Sequence, residues 1–328
     1  MALTGRRALS LAFAVVALVA NLSSLAIAQE FPTRSIELVV PYPPGGSSDA
    51  LARAIAPTLE KELGQTIVVV NKPGAGGIVA GTLMAKSKPD GYSILIASST
   101  ALVLSPRLQQ VDYDSLKDFT YVSLVARLIP MVVVRSDAPW KTLEDLVAYA
   151  KNNPGKIRYG TSGPHSGTHI AMESIAKEKG LSWVHVPFKG DGPVVAGILG
   201  GHIEAAGLFS VYKPQVAAGK LRPLVSLMDK RTKHFPDVPT YKELGFKFDT
   251  RGSIQSITGI IAPATLPPAI VAKYESALKK AVDSPAFAKT IETLGMEADF
   301  LPAAEYRREM EEGYHNAGRM LKDVGIVK

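Results

Sequence analysis

Two segments rich in glycine and hydroxyl residues have the composition of an anion-binding site. The first runs from Pro43 to Asp49 and joins an apolar run, typical of a buried strand, to a stretch typical of an amphipathic helix. Glycines let the backbone approach a ligand closely, and the first turn of a helix presents unbonded N–H groups and a positive dipole end. The segment predicts a carboxylate or phosphate site without a cationic side chain, although an ordinary strand–helix turn capped by Asp49 has the same pattern.

A second segment of the same kind, residues 159–168, also lies between a predicted strand and a predicted helix. A third, residues 98–100, consists of Ser-Ser-Thr directly after a predicted strand and offers further hydroxyl donors. Ligands of open α/β sheets bind where strands end and helices begin. Because the first two segments are far apart in the sequence, they indicate two lobes that close on one anionic ligand.

Catalytic motifs fit the chain poorly. Ser166 lies one place too late between Gly163 and Gly167 to form the Gly-x-Ser-x-Gly elbow of serine hydrolases. The sequence has no phosphate-binding P-loop, and the glycine-rich stretch 74–79 lacks the third glycine of a dinucleotide-binding fingerprint. We therefore expect a protein that is not an enzyme, with an exported serine hydrolase that uses Ser47 or Ser166 as a remote alternative.

The composition indicates a folded protein and excludes several kinds of site. The 328 residues carry a net charge of +7, 46% of them are hydrophobic, and none is cysteine, which excludes disulfides and thiolate metal sites. Basic residues are spread along the chain, so we expect no nucleic-acid binding. His165 and His169 are four residues apart, but no third ligand is evident, so we expect neither a metal site nor a cofactor.

The N-terminus has the three parts of a secretory signal peptide. Arg6 and Arg7 precede an apolar run from Ala8 to Ala20, and a small-residue cleavage site ends at Ala28. The apolar run is shorter than the roughly 20 residues that cross a bilayer, which disfavours an uncleaved anchor. We expect cleavage after Ala28 and a periplasmic protein, exported by the general secretory or the twin-arginine route.

Apolar runs that alternate with amphipathic stretches predict an α/β protein with mainly parallel sheets. Strands are predicted at residues 36–40, 67–70, 93–97, 122–126, 131–134, 157–160, 183–186, 202–206 and 221–227. Helices are predicted at residues 50–63, 79–86, 143–152, 169–179, 192–199, 212–218, 268–282, 285–294 and 303–324, so the last third is expected to be mostly helical. No linker of biased composition occurs, so either the chain crosses between two lobes or it forms one large α/β domain.

A series of short motifs occurs in order along residues 31–328. The motifs are Pro32 to Arg34, Leu38 to Gly46, Asn71 to Gly77, Pro89 to Tyr92, Asp118-Phe119, Tyr159-Gly160, His185 to Gly190, Ala218 to Arg222 and Pro236 to Thr240. With these motifs the chain closely resembles the Bug family, the extracytoplasmic solute-binding proteins of tripartite tricarboxylate transporters. The resemblance implies a type II periplasmic-binding-protein fold, with two α/β lobes, a hinge and a ligand cleft between the lobes. On this basis residues 1–28 are the signal peptide, 29–127 the first segment of lobe 1, 128–225 lobe 2, and 226–328 the return to lobe 1 with the C-terminal helices.

The resemblance also implies a ligand, a partner and a set of binding residues. The ligand is a small organic acid whose carboxylate is held by the first loop and by hydroxyls of the second, and the partners are the membrane permease subunits of the transporter. A monomer is expected, and a sensory protein that presents its closed form to a signalling receptor is the alternative. The expected ligand-binding residues are Tyr42, Pro44, Gly45, Gly46, Ser47, Ser48, Asp49, Ser98, Ser99, Thr161, Ser162, Ser166, Thr168, Ser210 and Arg251.

Two departures from the family pattern bear on the ligand. Some members that bind amino acids have an Asp after the strand that corresponds to residues 202–206, whereas residues 205–210 of this chain contain no acid. An unpaired ammonium in a closed cleft is costly to desolvate, so we expect a ligand without an amino group, such as a di- or tricarboxylate or an aromatic acid. Arg251 lies where the family often has a shorter stretch that ends in Trp, and it is either a bidentate partner for a second carboxylate or a surface arginine.

Overall fold

Residues 31–250 and 257–327 are described in a computed structural model of the chain. The chain divides into two compact units, Met1–Thr33 and Arg34–Lys328, and only residues 31–33 of the first are described. The predicted signal peptide and Arg251 lie outside the described residues. None of the helices in the described ranges has the length and apolar character that a membrane crossing requires.

The second unit contains two separate β-sheets. The described strands are β1 (Ile36–Val40), β2 (Ile67–Asn71), β3 (Ser93–Ser98), β4 (Phe119–Arg127), β5 (Met131–Arg135), β6 (Arg158–Thr161), β7 (Val184–Pro187), β8 (Ala205–Leu208), β9 (Leu221–Ser226), β10 (Ile257–Pro263) and β11 (Glu297–Pro302). The first sheet has the order β11-β4-β10-β3-β1-β2, and the second has the order β7-β6-β8-β5-β9. Two sheets, each with its own helices, form a two-lobed α/β unit rather than the single large domain that the sequence left open.

Helices connect many of the strands in both sheets. The described α-helices are α1 (Ser47–Leu63), α2 (Ile78–Ala85), α3 (Ser105–Leu108), α4 (Leu143–Asn152), α5 (Gly167–Lys179), α6 (Asp191–Leu199), α7 (Lys213–Ala217), α8 (Pro268–Val282), α9 (Pro285–Leu294) and α10 (Ala303–Asp323). Every predicted helix and strand forms, with ends that differ from the prediction by at most three residues. A π-helical turn, Thr100–Leu104, precedes α3, and neither was predicted.

Local sequence explains why several helices begin and end where expected. Thr142 and Asp145 form a reciprocal capping box at the start of α4, a signal that can be read directly from the sequence. Gly64 ends α1 in the left-handed conformation, with φ +69°, and its N–H bonds to the carbonyl of Glu60. The termini of these helices are therefore specified locally.

The prediction of mainly parallel sheets is wrong. Four strand pairs are parallel and five are antiparallel. In the first sheet β10 lies between β3 and β4 and runs antiparallel to both, and β11 is antiparallel to β4. Strand β5 is the first after the chain leaves the first sheet and β10 is the first after it returns, and both run antiparallel to their neighbours. The last third contains more helix than strand, as expected, but it also contains β10 and β11, which were not predicted.

Only three residues, 128–130, connect β4 in the first sheet to β5 in the second. Strand β5 is buried on both faces: Val132 and Val134 belong to one apolar cluster, whereas Met131 and Val133 belong to another. Alternate residues of a strand point to opposite faces, so a continuous apolar run is required at this position. The short connection and the packed strand bring the loops at the ends of the two sheets close together.

Candidate functional site

The first predicted loop forms an uncapped helix start. Helix α1 begins at Ser47, three residues before the predicted start, and its N-cap is Gly46, which makes no side-chain hydrogen bond to the first turn. The alternative of a turn capped by Asp49 is therefore wrong. Pro44 and both glycines are exposed, and Ser47 and Ser48 are half-buried. The N–H groups of the first turn lack intrahelical acceptors by geometry, so they are donors for a ligand or water.

The buried carboxylate of Asp49 holds the first loop in place through hydrogen bonds. Its side chain is 3% exposed, and Oδ2 accepts hydrogen bonds from the Gly45 N–H and from Arg53 Nε, each at 3.0 Å. Oδ1 accepts from Asn71 Nδ2 at 3.0 Å, and the same amide donates to the carbonyl of Tyr42 at 2.9 Å. Burial opposes ionisation, but the hydrogen bonds from Arg53, Gly45 and Asn71 outweigh it and lower the pKa of Asp49. Its oxygens already have partners, so Asp49 positions the loop.

Tyr42 connects the first loop to the end of β3. Its hydroxyl lies 3.0 Å from Ser98 Oγ and 3.4 Å from the carbonyl oxygen of Gly76, to which it donates. Ser98 is buried, and Ser99 is fully buried before the π-helical turn. The third predicted segment therefore supports the tyrosine, and Ser99 does not reach the surface of the cleft.

The second predicted loop is tightly bonded within its own lobe. Thr161 Oγ1 lies 2.7 Å from His185 Nε2 and donates to the carbonyl of Gly163 at 3.1 Å. Ser166 caps α5 by accepting from the His169 N–H at 3.2 Å, and its hydroxyl lies 3.3 Å from Thr168 Oγ1. Thr161 and Thr168 are fully buried and Ser166 is nearly so. Ser162, which is half-buried, is the hydroxyl of this loop best placed to meet a ligand.

The histidines near this loop form a stack behind it. The rings of His169 and His185 stack with centroids 4.0 Å apart, and His169 Nδ1 accepts from the His165 N–H at 3.0 Å. Burial and the two neighbouring histidines lower the pKa of His185 to about 4, so this ring is neutral near pH 7. Among residues 31–250 and 257–327, no group of three or more His, Asp or Glu side chains is placed to hold a metal ion.

Asp191 is a cleft residue that the sequence reasoning missed. Helix α6 begins at Asp191, after Gly190, whose N–H donates to the carbonyl of Ser162 at 3.1 Å. The carboxyl of Asp191 accepts hydrogen bonds from the Ser162 hydroxyl and the Phe209 N–H, while Oδ1 is buried and has no hydrogen-bond partner. Burial, only partly offset by those two bonds, raises the pKa of Asp191 to about 7. A signal was present, because Asp191 lies between two glycines directly before a predicted helix.

The charge of Asp191 affects the pKa of Tyr42. The pKa of Tyr42 is raised chiefly by burial, is lowered by its bond to Ser98, and is raised further by the charge of Asp191. The phenol of the first lobe and the carboxyl of the second are thus close enough to interact electrostatically. Tyr42 and the uncapped start of α1 belong to the first loop, whereas Ser162 and Asp191 belong to the second.

Two predicted residues are not brought to this group. Ser210 is fully buried, and its Oγ accepts from the Ile129 N–H at 3.1 Å, within the short connection between the sheets. The next buried tyrosine, Tyr212, donates to the carbonyl of Ile129 at 2.9 Å. Ser210 therefore supports the short connection between the sheets. Arg251 lies outside the described residues.

Comparison with known proteins gives a consistent result along the whole chain. The family model of the tripartite tricarboxylate transporter family receptor matches residues 51–326. The "UPF0065 protein in gbd 5'region" of Cupriavidus necator is 36% identical over 310 residues, which are 94% of this chain and 93% of that protein. Protein BugT of Bordetella pertussis is 36% identical over 234 residues, 69% of this chain and 71% of its own length.

Solved structures of similar proteins have the same fold. Rpa4515 of Rhodopseudomonas palustris, solved with adipate, has a TM-score of 0.81 at 28% identity over 90% of this chain and 99% of its own. MatC of the same organism, solved with bound malate, has a TM-score of 0.74 at 27% identity over 88% of this chain and 100% of its own. The chain therefore belongs to the tripartite tricarboxylate transporter receptor family, the periplasmic solute-binding proteins that include the Bug proteins, and has their two-lobed fold.

Proposed function

We propose that this chain captures a small carboxylic acid in the periplasm and delivers it to the permease subunits of a tripartite tricarboxylate transporter. The observation that carries the proposal is the uncapped first turn of α1, which follows the exposed Gly46 and presents N–H groups without intrahelical acceptors. Such a helix start attracts a carboxylate through its N–H groups and the helix dipole. In a hinged binding protein the ligand stabilises the closed form through contacts made only in that form.

The residues divide into those that touch the ligand and those that position the others. The backbone N–H groups of Gly46 to Ser48 contact the carboxylate from the first loop, and Ser162 contacts the ligand from the second. Asp49 and Tyr42 hold the first loop through the hydrogen bonds described above. The protein acts as a monomer after cleavage behind Ala28, and it catalyses no reaction.

The ligand is a di- or tricarboxylate, or an aromatic acid, and carries no amino group. Residues 205–210 contain no acid that would pair with an ammonium, and Ser210, at the end of that stretch, is bonded to Ile129. The adipate and malate in two related structures support a dicarboxylate. Arg251 supplies a bidentate partner for the second carboxylate.

A thermal-shift screen of the exported protein tests the proposal. The protein is unfolded and refolded to remove carried ligand, and is then heated with mono-, di- and tricarboxylates, aromatic acids, amino acids and sugars. A ligand at about 100 times its Kd stabilises by roughly 2.7 kcal/mol, a shift of several degrees for a chain of this size. Stabilisation by amine-free carboxylates is expected, whereas stabilisation by amino acids or sugars alone would contradict the ligand class. Co-purification with permease subunits from membrane extract tests the delivery step.

A further inference from the structure

The second predicted loop is held in place by the imidazole ring of His169. The His165 N–H, just before the start of α5, donates to His169 Nδ1 at 3.0 Å. His165 has φ +61°, a left-handed conformation that residues other than glycine rarely adopt. Such a strained conformation persists only while the surrounding structure holds it. The hydrogen bond to His169 is part of that structure, and it requires that Nδ1 carries no proton.

A second imidazole, that of His185 on β7, stacks on the ring of His169 with centroids 4.0 Å apart. Its Nε2 lies 2.7 Å from Thr161 Oγ1, whose single proton goes to the carbonyl of Gly163. Nε2 of His185 is therefore the donor in this bond, and Nδ1 carries no proton in the neutral ring. Both imidazoles thus hold the loop in their neutral forms.

The titratable groups around the two rings lie on β6, on α5 and in the loop. Tyr159 on β6 stacks on His185 with centroids 5.0 Å apart, and its hydroxyl donates to Glu173, one turn after His169 in α5. The ring of His165 lies 6.0 Å from that of His169. Glu173 favours a charged His169, but burial outweighs it and lowers the pKa of His169. The surroundings therefore disfavour charge on the stacked rings.

We propose that the stacked pair of His169 and His185 is a pH-sensitive lock on the second loop, closed while both rings are neutral and opened when either ring is protonated. A proton on His169 Nδ1 replaces the acceptor of the His165 N–H with a donor, so the strained residue is released. A proton on His185 places a charge against the half-buried ring of His169. Because Ser162 lies in this loop, acid also weakens the ligand contact of the second lobe, a consequence that rests on the proposed function.

The direction of the pH effect follows from the different proton affinities of the closed and open loop. Burial and the two other histidines lower the pKa of His185 from 6.5 to about 4 in the closed loop. The open loop then binds the proton more readily, so the closed form is favoured above pH 6.5 and loses this advantage as the pH falls toward 4. Within this window the opening equilibrium rises about tenfold for each pH unit.

Hydrogen–deuterium exchange of the empty protein at pH 7.5 and pH 5 measures the lock without a ligand. Protection factors are compared, because they correct for the pH dependence of chemical exchange. We expect the protection factors of residues 162–169 to be about 30-fold lower at pH 5 than at pH 7.5. Residues 268–282 of α8 are the internal reference and should change far less.

A double variant that keeps the hydrogen bonds but cannot titrate separates the lock from a general effect of acid. In His169→Asn the amide oxygen accepts from the His165 N–H, and in His185→Gln the amide nitrogen donates to Thr161. We expect equal protection factors of the loop at pH 5 and pH 7.5 in this variant. His315→Asn, an exposed substitution in α10, is the matched control and keeps the wild-type pH dependence.

Thermal unfolding verifies that both variants fold. If the double variant does not fold, His169→Asn alone replaces it and is expected to lose less loop protection in acid than the wild type.

Two results would overturn the inference. Equal loop protection at both pH values in the wild type means that protonation does not open the loop. A loss of protection in the variant as large as in the wild type means that other groups sense the acid. Both measurements use the empty protein, so they decide the inference whatever the ligand is. Failure of the proposed function is observed separately, as the absence of carboxylic acid binding in the thermal-shift screen.

Discussion

Replacing Asp49 with alanine tests how the first loop is held in place. The substitution removes the acceptor of three hydrogen bonds, from the Gly45 N–H, Arg53 Nε and Asn71 Nδ2. Arg53 has an exposed side chain that returns to water, and Asn71 keeps its bond to the Tyr42 carbonyl. The loss is therefore concentrated on the Gly45 N–H and on one amide hydrogen of Asn71.

The magnitude follows from these two donors. A hydrogen bond to a charged group contributes about 1.5–3 kcal/mol, and a donor that regains water recovers part of it. We expect the free energy of unfolding to fall by about 2 kcal/mol, which lowers Tm by roughly 3 °C for a chain of this size. Carboxylate affinity should fall at least about tenfold, or 1.4 kcal/mol, because Gly45 and the start of α1 lose their anchor.

Urea denaturation and calorimetry measure the two effects, with the best ligand of the thermal screen. Arg53→Ala is the matched control, because it removes the exposed partner of Asp49 and leaves the bonds to Gly45 and Asn71, and it should stay close to wild type in both assays. The lowered pKa of Asp49 adds a pH signature: its stabilising contribution is present above the ordinary Asp pKa and is lost as pH falls through the lowered value. The wild type and Asp49→Ala should therefore converge in strongly acidic solution. Unchanged binding in Asp49→Ala would refute the role of this loop.

Three further substitutions test separate parts of the account. Gly77 has φ +101°, and the Cβ added by Gly77→Ala would lie 2.9 Å from Ala101 Cβ. The resulting strain should lower the free energy of unfolding, measured by urea denaturation, by about 1–3 kcal/mol. Wild-type stability of this variant would contradict the packing beneath Tyr42. Ser210→Ala leaves the buried Ile129 N–H without its acceptor. The free energy of unfolding should therefore fall by about 1–3 kcal/mol, while the folded molecules keep their ligand affinity. Loss of ligand affinity without loss of stability would make Ser210 a ligand contact. Arg251→Gln should weaken dicarboxylates about tenfold or more and spare monocarboxylates in calorimetry, and equal effects on both would exclude a role at the second carboxylate.

The sequence predicted the elements whose ends are specified locally. The capping box of Thr142 and Asp145 and the left-handed Gly64 lie within a few residues of the ends they determine. Strand β10 was missed because its identity as a strand depends on pairing with β3 and β4, more than 100 residues earlier. Strand direction in the two sheets is likewise a property of how the chain crosses between them.

The candidate site was predicted in outline, but the roles within it were not. The glycine and hydroxyl composition identified both loops. The supporting role of Asp49 could not be predicted from its own segment, because its partner Asn71 lies 22 residues away. Ser210 appeared as a ligand residue and is bonded to Ile129, 81 residues earlier. Asp191 was overlooked because a raised pKa arises from burial, which only the folded chain creates.

Hydrogen–deuterium exchange with and without the bound acid tests the central claim most directly, namely that one small carboxylate is held by both lobes. Two peptides report on the two sides: residues 41–51 contain the start of α1, and residues 158–170 contain Ser162 and the start of α5. We predict slower exchange in both peptides on addition of the acid, while residues 268–282 of α8 remain unchanged. Protection of one loop alone, or of neither, would contradict capture of the ligand between the lobes.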